Sequence, residues 1–411
     1  MSTVGAASGI SSTNASGSTR FDGDVTLTNG DTGSTFTGST TLDGLNWSSF
    51  DGITFTGAVT LSTGAVSINS NGGNILLSST LTGGSQDFNI NAGSTGNITL
   101  SSGLSNVNSF AVTNGAVQSY QALTVGSLNI QNAATSVTFN GAVNATTTID
   151  VNSSGTIVLT GNITTATNVN FDATSTINIT GSITNSGTVT IDATGVTTIS
   201  ATGDINAGGA VTFGGTLTGT LTTAGDIDTT DDNITFTRAV TLTAAVDVDT
   251  TGTAAGNIVF SSTIATAGFA LALDAGAAGN ITLAAALTGG GAITIRDGAV
   301  QSYQALTVSS LSILDATTSV TFNGTVTATG SISVTSGGSI TQSANISAGG
   351  TTTLVTTGSG SIAVTTINAA GQALVLSSPG GSITQASGTI SASTLQLTAS
   401  TGVGKIGRAH V

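Results

Sequence analysis

The sequence predicts an all-β chain wound as a parallel β-helix solenoid of about 20–22 residues per coil. Three observations carry this. The first is a fixed period in short apolar-x-apolar triplets. Val137-Thr138-Phe139, Ile157-Val158-Leu159 and Ile177-Asn178-Ile179 begin 20 residues apart. Ile149-Asp150-Val151, Val169-Asn170-Phe171 and Val189-Thr190-Ile191 fall between them at the same spacing. Alternating apolar and polar residues is the pattern of a strand with one buried face. The second observation is glycine at that same period, at Gly141, Gly161 and Gly181. The third is composition. Charged residues make up 6% of the chain, against roughly 25% in ordinary globular proteins. All 19 acidic residues are Asp, which favours turns where Glu would favour helix. The single proline, Pro379, leaves backbone donors free for ladders.

With Ile157 as its start, one coil reads as three strands: Ile157–Leu159, Asn162–Thr164 and Asn168–Phe171. Gly161 bends the chain between the first two, where a side chain would crowd the corner. Asp172-Ala173-Thr174 reads as a turn, because Asp and Asn bond their own backbone two residues on. It is matched by Asp192-Ala193-Thr194 one coil later and by Asn152 one coil earlier. A single coil cannot bury its apolar side chains alone, so the fold exists only as a stack. The 411 residues hold roughly 19 such coils.

Residues 1–20 form a polar, weakly patterned segment, and 21–405 read as one solenoid. The rhythm begins near Val25-Thr26-Leu27 and is clear from Ile53-Thr54-Phe55 onward, through Ile75, Ile98 and Val117. A longer repeat lies on top of it. Gly115–Val143 and Gly298–Val326 match at 23 of 29 positions, offset by 183. Gly73-Asn74-Ile75 returns as Gly256-Asn257-Ile258, and Gly96-Asn97-Ile98 as Gly279-Asn280-Ile281. A module of about residues 50–231 therefore begins again over 232–405.

Charge excludes several function classes. A net charge of −14 with five basic residues gives no phosphate-tracking stripe, so nucleic acid is not an expected partner. No basic patch suits an anionic membrane either. The most apolar region, Ile264 to Leu287, is broken by Asp274 and alternates like a strand, so no membrane span is expected. Zero cysteines exclude a disulfide scaffold and a thiolate metal site. The segment from Met1 to Gly5 lacks the basic and apolar parts of a signal peptide. Either the protein is cytosolic or these are not its true ends.

Two late motifs carry a resemblance. Gly337-Gly338-Ser339-Ile340-Thr341-Gln342 returns 43 residues on as Gly380-Gly381-Ser382-Ile383-Thr384-Gln385, and the stretch from Ile390 to Leu397 follows. These residues, and the Thr/Ser/Gly/Asn pattern of about residues 25–404, resemble the large exported bacterial adhesins of the filamentous-haemagglutinin-like type. The resemblance implies a right-handed β-helix shaft displayed outside the bacterial cell surface. It supplies no catalytic, cofactor-binding or metal-binding residues. The secretion domain of that family, with its Asn-Pro-Asn motifs, has no counterpart here.

Candidate chemistry is sparse, and we expect a non-enzymatic chain with no catalytic site, cofactor or metal. Ser-His-Asp catalysis needs a histidine, and the only one is His410. Clustered carboxylates are the strongest candidate: Asp226, Asp228, Asp231 and Asp232, followed by Asp247 and Asp249, with Arg238 near. Grouped Asp on one face of a β-helix suits a polysaccharide lyase or hydrolase, and oxygen clusters suit Ca²⁺. The plainer reading makes them turn residues at a module junction. Asp172 stacked on Asp192 is read likewise as a solvated ladder. Tyr120 and Tyr303 share the motif Gln-Ser-Tyr-Gln; they are expected to pack at a corner, with a glycan contact as the alternative. Trp47 is expected to pack inside or over the coil rather than stack on a sugar, with Phe50 in the same irregular segment. Thr54/Thr56 and Thr235/Thr237 raise an ice-binding face, but the stacked outward residues Thr138, Val158, Asn178 and Asp150, Asn170, Thr190 are mixed. The expected partners are a surface glycan or protein, and further copies of the solenoid meeting end to end.

Residues 406–411, Ile-Gly-Arg-Ala-His-Val, depart from the pattern. The codons ATC GGA AGA GCA CAC GTC encode them, and that string belongs to a widely used sequencing adapter. This tail is therefore read as non-native, leaving Arg408 and His410 without a functional role. Sequencing the locus with chemistry free of that adapter is expected to give a different continuation after Lys405; recovering the same six codons would refute the reading.

Overall fold

The computed structural model describes residues 2–4, 9–28, 33–164, 167–250, 256–404, 406 and 409–410, with only the backbone described at 2–4, 370 and 409–410. The tail at 406–411 lies largely outside the described residues. The chain is all-β, with parallel strands stacked as a β-solenoid of about 18 turns and about 21 residues per turn. It divides into two units, one of Met1–Thr198 with Thr216–Gly219, the other of Ile199–Gly215 with Thr220–Val411.

In the first unit the triplets become strands in register, each pairing with its equivalent one coil on. Val137↔Ile157 and Phe139↔Leu159 are followed by Ile157↔Ile177 and Leu159↔Ile179. The three strands of the Ile157 coil are Thr156–Leu159, Ile163–Thr164 and Asn168–Ala173. The last runs two residues past its expected end. Asp172 and Asp192 thus sit opposite each other inside paired strands, not in a turn. Asp192 is buried, and its carboxylate accepts the N–H groups of Thr216 and Leu217 at 3.0 and 3.3 Å. The described part of residues 1–20 already contains strands, and Ser18–Phe21 pairs with Ser39–Leu42.

Side chains of like size stack along the interior. Phe36 lies on Phe55 with centroids 5.3 Å apart, and Phe88 on Phe110 at 5.8 Å. In the second unit Phe213, Phe236 and Phe260 form a column at 5.1 and 4.1 Å with nearly parallel rings. Offset-stacked rings add attraction beyond their area burial.

The repeated polar motifs serve this stack. In each Gly-Asn-Ile the asparagine carbonyl accepts a backbone N–H from the next coil. Asn74 accepts from Asn97 at 2.8 Å, Asn97 from Val117 at 3.1 Å, Asn257 from Asn280 at 2.9 Å, and Asn280 from Val300 at 3.1 Å. The glycine beside it has no room for a side chain: a Cβ on Gly96 or Gly279 would overlap the carbonyl of Gly73 or Gly256. Gly161 is required for the same reason, because its Cβ would overlap the Gly141 carbonyl below it.

Gly161→Ala is expected to lower stability by about 1–3 kcal/mol, the range for overpacking, whereas Ala at the exposed, unobstructed Gly23 is expected to change it little. Chemical denaturation of the two variants checks this; equal stability would refute the close approach.

Candidate functional site

The strongest candidate site is built on three successive strands of the second unit, Ile227–Thr229, Val246–Asp249 and Leu271–Asp274. Their inward residues Ile227, Val248 and Leu273 stack in register, so the outward residues stack as well. Asp228 faces Asp249, and Asp249 faces Asp274. A second outward column runs alongside, with Asp226 before Ile227 and Asp247 before Val248. Asp204, before Ile205 on the preceding coil, heads this column, and its carboxylate accepts the Asp226 N–H at 3.0 Å. Asp226 in turn accepts the Asp247 N–H at 2.8 Å.

A cation reaches this grid from a later coil. Arg296 follows Ile295 as Asp274 follows Leu273, and Leu273 pairs with Ile295. Its guanidinium holds Asp247 through both carboxylate oxygens, one at 2.9 Å, and lies 3.9 Å from Asp249. The bond to Asp247 raises the Arg296 pKa above its ordinary value. Burial, then the charges of Asp249, Asp226, Asp247 and Asp204, push the Asp228 carboxyl up to about 6. Burial also raises Asp274, partly opposed by the Gly276 N–H that its carboxylate accepts.

The sequence expectation is thus redrawn. Asp228, Asp247 and Asp249 are strand residues with outward side chains, not turn residues. Asp231 and Asp232 do lie in the turn after Thr229, where Asp231 has a φ of 64°. The arginine of the site is Arg296; Arg238 is buried beside Gly214 and Thr237. Asp204, Asp274 and Arg296 escaped the sequence reading because they lie one or more coils away along the chain. Counting one coil back from Asp226 and two and three coils forward would have found them. Among the described residues no three His or Asp side chains converge closely enough to hold a metal ion.

The aromatic candidates turn inward. Tyr120 and Tyr303 are buried within strand columns rather than at corners. Each hydroxyl donates to the glutamine two residues before it, Gln118 or Gln301, at 2.8 Å. Those amides donate to the Asn132 and Asp315 carbonyls at 2.9 and 2.7 Å. Buried in this way, neither ring can stack on a glycan. Trp47 is buried among Phe21, Phe36 and Phe55, whereas Phe50 is 58% exposed. Outward from Thr54 the column runs Leu76, Thr99 and Ser119, so the threonine face is broken in this unit as expected. Among the described residues no helix is long and apolar enough to cross a membrane.

Arg296→Met is expected to leave the grid under net repulsion and to cost about 0.5–1 kcal/mol, the scale of a partly exposed ion pair. Added salt should recover part of that loss by screening. Denaturation midpoints at low and high salt check both points; a variant as stable as the parent at low salt would refute the role of Arg296. Comparison of the chain with protein-family models, curated proteins and solved structures gave no match.

Proposed function

We propose that this chain is a stretch of the shaft of a large exported bacterial surface protein, serving reach and display rather than catalysis. One observation carries the reading: the two module copies keep the character of their interior throughout, whereas their outward residues are held in some columns, such as Thr54/Thr235 and Thr138/Thr321, and change charge in others. Ile53 and Phe55 return as Ile234 and Phe236, Ile98 and Leu100 as Ile281 and Leu283, and Gln118 and Tyr120 as Gln301 and Tyr303. Outward residues change in character, from Ser67 to Asp247 and from Asn91 to Asp274. A repeated catalytic or recognition surface would hold its outward residues. A spacer needs only its frame. The extracellular setting and the adhesin kinship rest on the resemblance in the late Gly-Gly-Ser-Ile-Thr-Gln motifs.

A second reading has one observation in its favour. A carboxyl raised to about 6 within a cluster of other carboxyl groups suits a general acid. On that reading the protein is a secreted polysaccharide lyase or hydrolase.

The full chain incubated with neutral and acidic polysaccharides is expected to release no new ends. Cleavage that disappears in Asp228→Ala/Asp231→Ala would replace the shaft reading with the enzymatic one.

A further inference from the structure

The duplication supplies an internal control for the acidic grid. In the first copy the corresponding outward ladder is Ser48–Asn69–Asn91, held by the register Asn69↔Ser48 and Asn69↔Asn91. In the second it is Asp228–Asp249–Asp274. The column beside it is Asn46–Ser67–Asn89 in the first copy and Asp226–Asp247–Ala272 in the second. Equivalent ladders thus carry neutral side chains in one copy, where Asp24 and Asp87 are the carboxylates beside them, and stacked carboxylates in the other, so coil geometry does not demand carboxylates at these ladder positions.

The charge has a mechanical consequence. Stacked strands lie about 4.8 Å apart, and like charges directly opposite across paired strands destabilise the pair. We propose that the strands Ile227–Thr229, Val246–Asp249 and Leu271–Asp274 form an acid-tightened segment: they open more readily than their counterparts in the first copy at neutral pH and close as the pH falls.

Every packed strand contributes to the field around Asp228. Ile205–Ala207 brings Asp204 before it and the neutral Asn206; Ile227–Thr229 brings Asp226. Val246–Asp249 brings Asp247 and Asp249, and Leu271–Asp274 brings Asp274. Ala292–Ile295 is followed by Arg296 and Asp297. Arg296 offsets part of the repulsion through Asp247 and leaves Asp228 at the far side of the grid. The sign of the pH effect follows from the raised Asp228 carboxyl. A group whose folded pKa exceeds its unfolded value stabilises fully below the unfolded value, here 3.8. That stabilisation is lost as pH rises through the folded value of about 6.

Hydrogen exchange on the full chain at about pH 7.5 and pH 4.5, corrected for intrinsic rates, tests this across that window. Protection of Val246–Asp249 and Leu271–Asp274 is expected to rise on acidification relative to Val66–Asn69 and 88–91. A rise of roughly tenfold corresponds to one pH unit between folded and unfolded titration. Asp228→Ser/Asp249→Asn/Asp274→Asn installs the residues of the first copy. It should raise protection at neutral pH and abolish the difference between the ladders. Equal pH responses of the two ladders in the parent would overturn the proposal, as would a response that survives the triple substitution. The comparison within the parent decides the matter even where the variant folds poorly.

Discussion

Within each unit, everything depends on the parallel backbone ladder that joins one coil to the next in register. A coil of about 21 residues has no core of its own. Its apolar side chains are buried only because Ile157 lies on Val137 and under Ile177, and every other inward residue is placed likewise. The ladder fixes the interior and exterior together, since a shift of one residue would exchange the two faces. It is also why glycine recurs where coils approach most closely: the carbonyl of one corner occupies the space that a side chain on the next would need.

This constraint explains what could be read in the sequence. Strands such as Ile177–Ile179 were legible because burial on one face imposes period 2, and stacking imposes a second period of about 20. The turns were less so. An Asp on the outward position of a strand and an Asp in a turn look alike in one dimension, which is why Asp172 was misplaced. The acidic site was half legible. Asp226 and Asp228 announce themselves as neighbours in sequence, but Asp274 and Arg296 join them only through coil-to-coil register, which must be counted through loops of unequal length. The tyrosines show the reverse limit. Their motif was conspicuous, yet a polar phenol buried with a glutamine cannot be told from an exposed one without knowing which face is inside.

The duplicated module separates what the fold requires from what it permits. Interior pairs such as Gln118 with Tyr120 recur unchanged as Gln301 with Tyr303. Each glutamine amide satisfies a backbone carbonyl across the coil, so losing it would leave a buried acceptor unpaired. The outward residues of the ladder from Ser48 to Asn91 answer to no such demand, and that ladder is amide- and hydroxyl-bearing in one copy and carboxylate-bearing in the other. The charged coils are thus a departure that the frame tolerates, with Arg296 supplying a local counter-charge through Asp247.

The buried glutamines also bear on how so repetitive a chain finds its place. Coils that resemble one another closely can pair one turn out of step, and such a slip would still set apolar residues on apolar residues. Gln118 removes that freedom: displaced by a coil, its amide would meet a different set of corner carbonyls, and the glutamine that the Tyr120 hydroxyl bonds would be displaced with it. Gln301, Gln342 and Gln385 place comparable marks further along, with Gln342 bonded to the Ala344 and Thr366 carbonyls and Gln385 to those of Thr365 and Ser387. These few polar side chains act as registration pins, letting an almost uniform stack count its own turns as it folds.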